Sequence, residues 1–166
     1  MFVAIRDVLT LKQSAQSKYR WIVPTILLIH GPNLNLLGER EPEIYGTATL
    51  DDYVRTVRTV AISAGFEVEH MQTNHEGVIV DAIHAARGRV QAIIINAGAF
   101  THYAWSIHDA LATFAGPIIE VHISDPLTRE PWRHLSVIAP VASQTIAGLG
   151  LVGYEQAVTA IVRQLG

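Results

Sequence analysis

Apolar runs of strand length alternate with stretches of helical period along most of the chain. Thr25 to His30 is a continuous apolar run, the pattern of a strand buried on both faces of a parallel sheet. Thr49 then caps a helix in which Leu50, Tyr53, Val54, Val57, Ala61 and Ala64 recur at the 3.6-residue period, and Gly65 stops it. Phe66 to Gln72 alternates apolar and charged residues, as a strand nearer a sheet edge does. Thr73 and Glu76 predict a capping box for a helix that turns Val78, Ile79, Ala82, Ile83 and Ala86 to one side and ends at Gly88. Val90 to Ile95 reads as the third strand. A helix opening at Thr101, with Ala104, Ile107, Leu111 and Phe114 inward, closes at Gly116-Pro117. Ile118 to Ile123 predicts the fourth strand and Leu135 to Ala139 the fifth, joined by a loop with one helical turn. The last helix spans about Val152 to Leu165, with Tyr154, Ala157, Val158, Ile161 and Val162 inward.

Five such alternations predict an α/β fold: a flavodoxin-like, doubly wound, five-stranded parallel sheet of order 2-1-3-4-5 with helices on both faces. Ligands of such sheets bind beyond the carboxyl ends of the strands, near the point where strand order reverses. Chemistry is therefore expected after strands one, three and four. Those strands lead into Gly31-Pro32-Asn33, Asn96-Ala97-Gly98-Ala99 and Glu120-Val121-His122-Ile123-Ser124.

Two sets of residues there have catalytic character. Glu120 and His122 share one strand face, so a carboxylate can lie beside an imidazole and favour its protonated form, a general acid; a satisfied structural histidine is the plainer alternative. Arg40 and Tyr45 sit in a long loop after the first strand that neither period explains, and loops of that length in compact domains often act as lids. A tyrosine, ordinarily titrating near about 10, needs a fixed cation beside it to serve as a base, and arginine keeps its charge. The alternative is a solvated charged loop.

Composition narrows the partners. A chain of 166 residues with 49% apolar and 16% charged residues predicts one compact domain, residues 24–166, preceded by an extension over 1–23 with a short helix and a linker. A net charge of −3 with scattered arginines argues against nucleic acid, and no apolar run is long enough for a membrane span. The absence of cysteine excludes disulfides, thiolate nucleophiles and iron-sulfur clusters, and fits the cytoplasm.

Other chemistry finds little footing. Gly148-Leu-Gly-Leu-Val-Gly153 matches a dinucleotide-binding string but follows the last strand, and no acidic partner lies about 20 residues on, so a tight entry into the last helix is the simpler account. No two of the eight histidines stand at i, i+4, which leaves no recognisable metal motif. The only lysines, Lys12 and Lys18, lie in the extension, so Schiff-base catalysis from the core is not expected.

Five strings in register carry a resemblance to a known family: Gly31-Pro-Asn-Leu-Asn-Leu-Leu-Gly38, Arg40-Glu-Pro-Glu-Ile-Tyr-Gly46, Gln72-Thr-Asn-His-Glu-Gly77, Glu120-Val-His-Ile-Ser124 and Arg129-Glu-Pro-Trp-Arg133. From about Ile26 onward the chain resembles the type II 3-dehydroquinate dehydratases. The resemblance implies a lyase that converts 3-dehydroquinate to 3-dehydroshikimate and water by anti elimination through an enolate, without a metal or organic cofactor. It implies Tyr45 as general base assisted by Arg40, and His122 as general acid oriented by Glu120. Asn33 would hold a water against the enolate oxygen, while Asn96, His102, Arg133 and the backbone of Ile123 and Ser124 would contact substrate. Asp109 would reach the site of an adjacent subunit, within a dodecamer built from trimers. The chain departs from the family pattern at Ala97, at Asp125 and at His30, where Asn or Pro is common. Two alternatives are a non-catalytic flavodoxin-like binding or signalling module and a dinucleotide-dependent oxidoreductase.

Overall fold

The computed structural model describes residues 23–39 and 42–166. Arg40 and residues 1–22 of the N-terminal extension lie outside the described residues. The strands are β1 (Thr25–His30), β2 (Glu67–Gln72), β3 (Ala92–Asn96), β4 (Ile118–His122) and β5 (Gln144–Ala147). They form one parallel sheet in the order β2-β1-β3-β4-β5, the expected flavodoxin-like order. The helices are α1 (Pro42–Tyr45), α2 (Leu50–Ser63), α3 (Glu76–Ala86), α4 (Trp105–Ala112) and α5 (Gly150–Leu165).

The alternation of side chains along each strand splits the core in two. Ile26 and Leu28 of β1, with Ala92 and Ile94 of β3, pack under α2 and α5, whereas Leu27, Ile29, Ile93 and Ile95 pack under α3 and α4. Ile93, Ile94 and Ile95 are all fully buried. At roughly 1.5–3 kcal/mol for each such side chain removed from water, β3 anchors the sheet from both sides. Thr49 begins α2 with a capping box: its hydroxyl accepts from the Asp52 backbone at 3.3 Å, and its own N–H donates to the Asp52 carboxylate at 2.8 Å.

Three expectations about element boundaries are corrected. The fifth strand is not Leu135–Ala139 but Gln144–Ala147. In the former segment the Ser136 hydroxyl accepts from the backbone of Ile138 and Ala139 and bends the chain into a turn, so Val137 and Ile138 plug the core near α4 instead of pairing. The true β5 is an edge strand with only Ile146 buried, and its polar composition hides it. The capping box at Thr73 and Glu76 does not form. Thr73 accepts from the His75 backbone in a local turn, α3 starts at Glu76, and the Glu76 carboxylate takes the Ser106 hydroxyl. Thr101 does not open a helix either; it lies in a 3₁₀ turn, Gly98–His102, and α4 begins at Trp105.

Candidate active site

The carboxyl ends of β1, β3 and β4 enclose a pocket of about 220 Å³. Pro32, Asn33, Leu34 and Leu37 line it after β1, Asn96, Gly98, Ala99 and His102 after β3, and His122, Ile123 and Ser124 at and after β4. Tyr45 of α1 and Arg129 and Arg133 of the β4–β5 crossover complete the wall.

The β1 rim is built tightly. The Gly31 N–H donates to the Asn96 carbonyl at 2.8 Å, and a Cβ at Gly31 would overlap the Ala97 carbonyl, so only glycine lets the two strand ends meet. Asn33 follows with φ 64°, a left-handed conformation that asparagine tolerates better than most residues. Its backbone N–H donates to the Asn74 side chain at 3.0 Å, and the Gln72 amide donates to the Gly31 carbonyl at 3.1 Å. The Gln72-Thr-Asn string therefore braces the Gly31-Pro32-Asn33 turn.

At the end of β4, His122 Nε2 lies 3.0 Å from Glu120 Oε1. Glu120 has no exposed surface, and it also accepts from Ser136 Oγ at 2.6 Å and Thr145 Oγ1 at 2.9 Å. Burial alone would raise the Glu120 pKa, but the hydrogen bond and charge of His122 with the two hydroxyls outweigh it and hold the carboxyl below its ordinary value. With Nε2 engaged by a carboxylate, Nδ1 is the nitrogen through which His122 can exchange a proton with a ligand. His102 Nδ1 lies 2.7 Å from the Leu135 carbonyl and so carries the proton there. Burial lowers the His102 pKa despite that backbone bond, which keeps the ring neutral at neutral pH and leaves Nε2 as an acceptor.

Arg129 Nη1 donates to Tyr45 Oη at 3.2 Å, and its guanidinium lies 5.6 Å from the centre of the Tyr45 ring. Arg133 is tied to Glu130 at 2.7 Å and stacks on Trp132 at 4.0 Å. A phenol with a guanidinium at its oxygen, a histidine backed by a buried carboxylate, and a second guanidinium thus share one pocket. Such a site suits proton transfer on an anionic ligand.

Of the residues singled out from the sequence, Tyr45, Asn33, His122, Asn96, His102, Ile123, Ser124 and Arg133 line this one pocket, with Glu120 directly behind His122. Asp109 does not join them; it is exposed on α4. Asp125, a departure from the family pattern, accepts from the Leu127 backbone at 2.9 Å and lies outside the pocket. Arg129 was not singled out from the sequence, because spacing alone cannot tell which arginine of Arg129-Glu-Pro-Trp-Arg133 reaches Tyr45. Ser136 and Thr145 were missed because the boundaries of the fifth strand were.

Residues 24–162 match the family model for class II dehydroquinases. The chain belongs to that family. A 3-dehydroquinate dehydratase of Halalkalibacterium halodurans is 50% identical over 138 residues, covering 83% of this chain and 95% of the relative. A catabolic 3-dehydroquinase 2 of Aspergillus flavus is 52% identical over 136 residues, covering 82% and 91%. Among solved structures, a type II dehydroquinase from Butyrivibrio crossotus superposes with a TM-score of 0.81 at 45% identity, covering 83% of this chain and 97% of that one. The dinucleotide-like string plays a different part here. Gly148 and Gly150 take positive φ and donate to the carbonyls of His122 and Ile123 at 3.2 Å each, so the turn into α5 braces the β4 end of the pocket.

Proposed function

We propose that the protein is a hydro-lyase that converts 3-dehydroquinate to 3-dehydroshikimate and water by anti elimination. The observation that carries this reading is the convergence of Tyr45, held by Arg129, and the His122–Glu120 pair on one pocket. A proton α to a ketone is weakly acidic, so its removal requires a base together with stabilisation of the enolate charge. Tyr45 is the base, and Arg129 donates to the oxygen that must carry its negative charge. Arg40, five residues earlier in the chain, assists. The C–H electron pair forms the enolate, whose oxygen is met by a water on Asn33. The enolate re-forms the ketone while the β-hydroxyl leaves with the proton from His122 Nδ1, and Glu120 holds the ring in place. The proton taken by Tyr45 and the proton given by His122 balance, so no metal, redox or organic cofactor enters the scheme.

Arg133 offers a guanidinium to the substrate carboxylate, while Asn96, His102 and the backbone of Ile123 and Ser124 meet its hydroxyls and carboxylate. Residues 24–166 are the catalytic unit. Asp109, exposed on α4, reaches a neighbouring subunit in a trimer, and trimers assemble into a dodecamer. A cytoplasmic location fits the absence of cysteine; among the described residues, no helix is long and apolar enough to cross a membrane.

The test is the ultraviolet absorbance of the conjugated enone on mixing protein and 3-dehydroquinate. No rise with folded protein overturns the reading. Tyr45→Phe should lower kcat by about 10²-fold or more with an unchanged circular dichroism spectrum, and near-normal turnover removes Tyr45 as the base.

A further inference from the structure

His30 closes β1 where the family often has Asn, and its imidazole is fully buried. Nothing in the mechanism uses it. Its Nε2 lies 3.0 Å from the Tyr154 hydroxyl, and its Nδ1 lies 3.0 Å from His70 Nε2 on β2. The same Tyr154 hydroxyl accepts from Asn96 Nδ2 at 3.0 Å, and Asn96 lines the pocket. A polar chain thus runs through an otherwise apolar core, from the half-buried His70 to the active site.

The direction of the chain can be worked out. Gly98 N–H donates to Asn96 Oδ1 at 3.2 Å, so the other end of the amide, facing Tyr154, must be the NH₂. Tyr154 therefore accepts from Asn96 and turns its own proton to His30 Nε2. His30 must then be neutral with its proton on Nδ1, donated to His70. Burial, with repulsion from His70 once that ring takes up a proton, lowers the His30 pKa to about 3 and keeps that neutral form throughout the physiological range. Without an acceptor at His30, the Tyr154 hydroxyl can rotate its proton toward the Asn96 NH₂, and the amide is then held by the Gly98 N–H alone. One Asn96 N–H and one Oδ1 lone pair are spoken for within the protein, and the remaining pair are what the amide offers a ligand hydroxyl.

We infer that His30, acting through Tyr154, is a positioning residue for the active site: the relay Asn96→Tyr154→His30→His70 holds the NH₂ end of the Asn96 amide while the Gly98 N–H holds its oxygen, and the two together keep its free donor and acceptor aimed at substrate. This rests on the reading of Asn96 as a substrate contact.

Three variants and a control test it. His30→Gln restores an acceptor near the Nε2 position, His30→Met has a similar length and only a weak thioether acceptor, and Tyr154→Phe removes the hydroxyl with almost no change in volume. His30→Met and Tyr154→Phe are expected to raise KM for 3-dehydroquinate about 3- to 10-fold, the worth of about one neutral hydrogen bond, with kcat within about twofold. His30→Gln should bring KM back toward that of the unaltered protein. If Asn96→Ala raises KM but the folded His30→Met and Tyr154→Phe proteins do not, the inference is overturned. If Asn96→Ala also leaves KM unchanged, it falls through the Asn96 reading on which it rests. Long-range ¹H–¹⁵N spectra of histidine-labelled protein give a readout independent of activity and of whether His30→Met folds. A His30 proton on Nδ1 supports the relay, and one on Nε2 refutes it.

Discussion

His30 is fully buried with a pKa lowered to about 3, whereas in an unfolded chain the same imidazole titrates near its ordinary value of about 6.5. Between those values the unfolded chain holds a proton that the folded protein refuses. Acid therefore draws the equilibrium toward unfolding, and stability rises with pH across the window. The His30 share is complete above about pH 6.5 and is lost progressively as pH falls toward about 3. At about pH 4.5 the loss from this one group amounts to about 3 kcal/mol, a large part of a typical net stability of roughly 5–15 kcal/mol. The assay is urea unfolding at fixed protein concentration, at about pH 7.5 and about pH 4.5, of the unaltered protein and His30→Gln. The glutamine cannot titrate, so the unaltered protein should lose about 3 kcal/mol more than the variant over this interval. His102, whose pKa is also lowered, is present in both proteins and cancels; His70 touches position 30, so the same pair is compared again with His70→Gln in both. Glu120 acts lower on the scale: its depressed pKa contributes stability above its unfolded value of about 4.5 that is lost as pH falls further. Parallel losses, within about 1 kcal/mol, would refute the claim that desolvation keeps His30 neutral.

Further outcomes follow from single contacts. Glu120→Gln removes the charge behind His122, and kcat should fall about 10- to 100-fold, the worth of a charge-assisted hydrogen bond; a change within twofold would show that His122 needs no carboxylate. Gly31→Ala sets a methyl against the Ala97 carbonyl, and the urea midpoint should report a loss of at least about 1–3 kcal/mol. An unchanged midpoint would mean that the two strand ends separate easily. Asp125→Asn should leave KM within about twofold, since asparagine caps the Leu127 backbone as aspartate does and the side chain lies outside the pocket. A KM lowered tenfold would show that the Asp125 charge is felt by the substrate after all.

Much of the molecule was legible in the chain, where local pattern and global fold agree. β1, β3 and β4 are apolar runs because they are buried on both faces, and α2 and α5 show their period because one side of each meets the sheet. The strand order and the placing of His122 and Asn33 at the strand ends follow from that alternation and from the matched strings. β5 was misplaced for the complementary reason. As an edge strand it buries one side chain, while the apolar Val137 and Ile138 nearby fill the core from a turn.

Contacts between residues far apart in sequence come from the packing of whole elements alone. Arg129 reaches Tyr45 across 84 positions, His30 reaches Tyr154 across 124, and Thr145 reaches Glu120 across 25. Local sequence sets the period and caps of each element because those interactions lie within a few residues. Which of two arginines meets the phenol, and which hydroxyls hold the buried carboxylate, depends on how whole elements pack, and no spacing along the chain encodes it.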